Sequence, residues 1–91
     1  MVTAIILINT QRTRVNEVAE KLVEMTGVSE VYSVSGNYDL VAIIRVADND
    51  ALARLVTDKL RPLDGIDKTQ TMLAFKAYSR HDLEAMFSVG M

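Results

Sequence analysis

Gly36-Asn37-Tyr38-Asp39-Leu40 places a glycine, a phenol and a carboxylate side by side between two apolar runs. A carboxylate at a turn is a natural partner for a small ammonium group. Backbone N–H groups left free around a glycine make a concave nest for a carboxylate. Together the two would hold a zwitterion the size of an amino acid. Asp39 is then the contact for the ammonium, Gly36 and Asn37 present amides to the carboxylate, and Tyr38 walls the pocket. A plainer reading competes at each position. Turn aspartates commonly hydrogen-bond the turn backbone, Gly36-Asn37 can serve turn geometry alone, and Tyr38 can fill a core or a partner's surface.

Other polar residues offer less. Thr69 and Thr71 put two hydroxyls on one face of a strand, where alternate residues align. They either meet a ligand or reflect β-propensity. His81 is the only histidine and there is no cysteine, so neither a histidine metal cluster nor a thiolate site is expected. No cofactor is expected either. Arg12 and Arg14 stand near a helix start, where cations are disfavoured unless an anion joins them; a solvated face is expected for both.

The elements around the turn follow from periodicity. Val2 to Ile8 is nearly all β-branched or apolar, as in a buried strand. Thr13 is placed to cap a helix starting at Arg14, with Val15, Val18, Ala19, Leu22 and Met25 on one face and Gly27 at its end. Val28 to Ser35 and Leu40 to Val46 form a hairpin about Gly36-Asn37, residues that tolerate the positive φ of tight turns. Asp48, Asn49 or Asp50 caps a second helix whose apolar side is Leu52, Leu55, Val56 and Leu60; Pro62 and Gly65 mark its exit. Ile66 to Tyr78 is a last strand, with Thr69, Thr71, Leu73, Phe75 and Ala77 on one side and Gln70 and Met72 on the other.

The order βαββαβ predicts an α+β, ferredoxin-like fold: a four-stranded antiparallel sheet with two helices on one face. In that topology the first and third strands are central. Here both are apolar on both sides: Ala4, Ile6 and Ile8 against Ile5 and Leu7, then Leu40, Ala42, Ile44 and Val46 against Val41 and Ile43. One side packs the helices. The other calls for a second chain, so a homodimer through the sheet faces is expected.

Ninety-one residues, 49% of them apolar, are enough for one domain with a real core. A net charge of −2, with both signs interspersed, argues against direct nucleic-acid binding, which needs a basic face. Ala4 to Ile8 is too short for a signal peptide or membrane span, so a cytoplasmic protein without membrane association is expected. Residues 1–79 read as the domain and 80–91 as a tail, with Leu83, Met86 and Phe87 at helical spacing for clasping a neighbouring subunit.

The strand order, the Gly-x-Tyr-Asp-Leu segment at Gly36 to Leu40, the pair Thr69-x-Thr71 and the phrase Gly27-Val28-x-x-Val31 together resemble the effector-binding half, or RAM domain, of the Lrp/AsnC regulators. The resemblance covers roughly residues 2–79. It implies a non-enzymatic amino-acid sensor that dimerises in the manner of dimeric α+β barrels and assembles into octamer-like rings. It places the ligand between neighbouring dimers, bordered by Ser35, Gly36, Asn37, Tyr38 and Asp39 and by Thr69 and Thr71. The DNA-docking helix-turn-helix of full-length members has no counterpart here. A stand-alone version is expected, with a DNA-binding relative as a candidate partner. The rival is a small enzyme of the same barrel type, monooxygenase- or isomerase-like, but the positions facing inward are aliphatic and supply no acid or base. An ACT-like module would share the topology and the amino acid. An RNA-recognition surface lacks its aromatic-basic strand.

Overall fold

Alternate residues of Val2–Thr10 are buried, and that alternation is the root of the architecture seen in a computed structural model, which describes residues 1–80. In this strand, β1, the side chains of Ala4, Ile6 and Ile8 are fully buried, and Thr10 is 6% exposed. Helix α1 (Val15–Val23) lays Val18 and Leu22 onto them. Strands β2 (Val28–Ser33) and β3 (Leu40–Val46) follow, then helix α2 (Asn49–Arg54), a π-helical turn Leu55–Leu60, and β4 (Ile66–Leu73). The sheet order is β2-β3-β1-β4, antiparallel throughout, so β1 and β3 are central as expected. The chain is therefore ferredoxin-like, with the helices on one face.

The register fixes which side each residue takes. Ile6 stands opposite Ala42 and Thr71, and all three share the helix-bearing face. Ile5 opposite Ile43 and Met72, and Leu7 opposite Val41 and Gln70, share the other. Among the described residues no helix covers that second face. Its aliphatic residues are half-buried only by one another, while Tyr32 and Met72 are 49% and 42% exposed. Among the described residues no helix is long and apolar enough to cross a membrane.

Several local expectations are corrected. Thr13 does not cap α1; Arg14 occupies the N-cap position without a side-chain cap bond. Its guanidinium instead folds onto Glu17 and reaches Asp64, before β4. Arg14 is therefore half-buried and ion-paired rather than solvated, whereas Arg12 is exposed. At the second helix Asp48 is the cap, its Oδ1 accepting from the Ala51 N–H at 2.8 Å. The helix does not run on as an α-helix to Leu60: it widens into the π turn, closed by Arg61 N–H to Val56 O at 2.9 Å. Strands β2 and β4 end at Ser33 and Leu73, short of Ser35 and Tyr78. The tail read from Leu83, Met86, Phe87 and His81 lies outside the described residues.

Candidate functional site at the β2–β3 loop

The loop is wider than a tight hairpin. It closes through Val34 N–H to Asp39 O at 3.0 Å, leaving Ser35 to Tyr38 outside the bond. Gly36 has φ +105, a conformation that L side chains rarely adopt, although nothing would touch a Cβ there. Its glycine serves the backbone, not space. Asn37 does not share the conformation: no non-glycine among the described residues has positive φ.

Asp39 is anchored twice to the end of β1. Its N–H donates to Ile8 O at 2.9 Å, and its Oδ2 accepts from the Thr10 N–H at 2.8 Å. Its Oδ1 has no hydrogen bond among the described residues. Both sequence readings of Asp39 are thus compatible with the same side chain, one oxygen bonded to backbone and one left over. Ser35, Gly36 and Asn37 are exposed, and the N–H groups of Ser35 to Tyr38 make no hydrogen bond among the described residues. A carboxylate oxygen beside a run of unbonded amides offers an acceptor and donors to one small molecule.

Tyr38 leans over the uncovered sheet face, its hydroxyl donating to Gln70 Oε1 at 2.6 Å. Gln70 is the β4 residue that one chain brings to the loop. Thr69 and Thr71 share a side, as the alternation predicts, but it is the helix-bearing side, and neither bonds the loop within one chain. Two polar groups at the end of β1 went unnoticed in the sequence. Asn9 Nδ2 donates to Asn37 O at 3.2 Å, and Thr10 supplies the amide that holds Asp39. Asn9 Oδ1 and Thr10 Oγ1 are buried without a hydrogen bond among the described residues. Their signal was present: the alternation of β1 carries on through Thr10 instead of stopping at Ile8.

At the far corner of the uncovered face Tyr32 donates its hydroxyl to Glu30, and Arg45 Nη1 reaches the same carboxylate at 3.2 Å. The Tyr32 hydroxyl and the Arg45 guanidinium hold the Glu30 carboxyl below the usual range, and Glu30 in turn raises the Tyr32 phenol. These groups satisfy one another at the sheet's margin. Among the described residues, no three His, Cys, Asp or Glu side chains are grouped to hold a metal ion.

A sequence profile of the Lrp/AsnC ligand binding domain matches residues 3–83. An uncharacterised HTH-type transcriptional regulator of Pyrococcus horikoshii is 41% identical over 59 residues, which make up 65% of this chain and 39% of that protein. The chain thus spans well under half of that relative's length. A Thermus thermophilus protein of known structure superposes with a TM-score of 0.82 at 45% identity, over 88% of this chain and all of that one. A Neisseria meningitidis transcriptional regulator, solved in complex with L-Met, shares the fold with a TM-score of 0.78 at 18% identity, over 87% of this chain and 53% of that one. The ferredoxin-like sheet, the Gly-x-Tyr-Asp loop and the profile agree, and the chain belongs to the Lrp/AsnC ligand-binding-domain family.

Proposed function

We propose that this chain is a non-enzymatic sensor of a free amino acid, working as an oligomer. The observation that carries the reading is the loop: among the described residues, Asp39 has one oxygen fixed by Thr10 and one unbonded, beside a run of unbonded amides. Asp39 takes the ammonium, the amides of Gly36 and Asn37 take the carboxylate, and Ser35 and Tyr38 border the ligand. Thr69 and Thr71, turned away from the loop of their own chain, complete the site from a neighbouring one. The Neisseria complex with L-Met supports this ligand class in a protein of the same fold.

Dimerisation through the uncovered sheet face supplies the cover that Ile5, Leu7, Val41, Ile43 and Met72 lack. Contacts between such dimers build an octamer-like ring with the amino acid at the joints. A ligand so placed favours whichever assembly completes its site, and only by its difference in affinity between the two states. Its output is the recruitment of a DNA-binding relative into mixed assemblies; the chain itself contacts neither nucleic acid nor membrane.

The test is calorimetric titration with each common amino acid, with oligomer mass followed by light scattering. Saturable heat with one or a few of them, accompanied by a change in mass, is expected. A well-assembled oligomer that gives no heat with any would reduce the chain to a scaffold.

A further inference from the structure

A second recess opens at the other end of the sheet, where β2 begins and β3 ends, with a volume of about 520 Å³. Small-molecule sites span roughly 300–1,000 Å³. Its floor is apolar, formed by Val46, Ala51 and Leu55. Gly27 lies among them with φ +100, and a Cβ there would come within 2.9 Å of Val46 Cγ1 and 3.2 Å of Leu55 Cδ2. The glycine is what lets the start of β2 close on both side chains. One wall is the π turn, a helix form that recurs at functional sites.

Charge decides the ligand class. The whole chain is acidic at −2, yet the rim carries Arg45, Arg54 and Lys59 against the single acid Asp58. Glu30 already holds Arg45, but Arg54 and Lys59 make no ion pair or hydrogen bond among the described residues. Free cations at the mouth of an apolar recess suit an anion with an apolar body. They disfavour a zwitterion, whose ammonium would meet them. Lys59 also borders an adjoining, more polar hollow of about 360 Å³ lined by Lys21, Glu24, Met25 and Thr26, which adds one further cation and one acid beside the recess.

We infer that this recess binds a small amphipathic monocarboxylate, its apolar part on Val46, Ala51 and Leu55 and its carboxylate facing Arg54 and Lys59. The site is separate from the β2–β3 loop and does not depend on the amino-acid reading. The experiment titrates butyrate, hexanoate and 4-phenylbutyrate into the ¹⁵N-labelled full chain at fixed ionic strength. Neutral 4-phenylbutanamide is the control ligand and the Arg54→Glu/Lys59→Glu double variant the control protein. Saturable shifts of the Thr26, Gly27 and Ala51 amides are expected with at least one carboxylate. Affinity for 4-phenylbutyrate should exceed that for the amide at least tenfold, and drop at least tenfold in the double variant, as loss of a charged hydrogen bond implies. No saturable shift with any of the three overturns the site. So does equal binding of acid and amide, or shifts confined to the uncovered sheet face.

Discussion

Asp39 holds the Thr10 N–H with the same carboxylate that is proposed to meet the ligand's ammonium, and two substitutions separate the two roles. Asp39→Ala removes the acceptor of the part-buried Thr10 N–H, now 2.8 Å from Oδ2. Leaving a buried donor unsatisfied costs about 1–3 kcal/mol, and each kcal/mol shifts Tm by roughly 4–8 °C in a domain of this size. Asp39→Asn keeps a carbonyl acceptor for that N–H, so its stability should stay within about 1 kcal/mol of wild type. Neither variant retains the charge proposed to meet the ammonium, so both should bind the amino acid more weakly by about 1.5–3 kcal/mol, roughly tenfold to 150-fold. The assay pairs chemical denaturation with calorimetry, both at one protein concentration because oligomerisation adds to apparent stability. Wild-type affinity in Asp39→Asn would refute the ammonium assignment. Wild-type stability in Asp39→Ala would show that the Thr10 bond contributes nothing.

Other outcomes test the rest of the design. Ile43→Glu puts a carboxylate opposite Ile5 at the centre of the uncovered face, where burial of a charge is prohibitive. The light-scattering mass should fall below that of the wild-type assembly with the circular dichroism spectrum unchanged, and an unaltered mass would exclude this face as the interface. Glu17 is held at about 2, below its ordinary 4.5, chiefly by its hydrogen bond to Arg14 and then by Lys21; Arg14 also lowers Asp64. A lowered folded-state value gives stabilisation that is complete above the ordinary value and lost as pH falls from 4.5 toward 2. The deficit of Arg14→Met in urea unfolding, present near neutrality, should therefore shrink as acid is added through that window; a deficit independent of pH would assign it to packing. Gly65→Ala combines φ +100 with a Cβ 2.8 Å from buried Val18 Cγ2, whereas Gly36→Ala meets nothing within 4 Å. Denaturation should show a loss of about 1–2 kcal/mol for Gly36→Ala from backbone strain and a loss larger by about 1–3 kcal/mol for Gly65→Ala from overpacking. Equal losses would mean that Val18 yields freely.

Patterns internal to one segment were legible in the sequence. A run such as Ala4 to Ile8, short, rich in isoleucine and apolar at odd and even positions alike, reads as an interior strand, and β1 is central in the sheet. Asp48 could be proposed as a cap because capping is settled within a turn of helix. What stayed hidden was set by distant partners. The bond from Thr10 to Asp39 spans 29 residues and that from Arg14 to Asp64 spans 50. Alternation put Thr69 and Thr71 on a common side, but only pairing with Ile8 and Ile6 shows that this side bears the helices. The π turn at Leu55–Leu60 has the same apolar spacing as an ordinary helix, so periodicity carried no sign of it.

The central position of β1 sets an order on the birth of the protein. Leu73 pairs with Ala4 and Thr69 with Ile8, so β1, the earliest made of the four described strands, is flanked on one side by β4, the latest made of them. Until residues 66–73 emerge, the isoleucine-rich strand presents an open edge with unpaired amides, the kind of surface on which nascent chains cross-react. Pairings this distant in sequence also make for slow closure. A chain stopped before Ile66 would keep that edge permanently, and its natural partner would then be another unfinished copy.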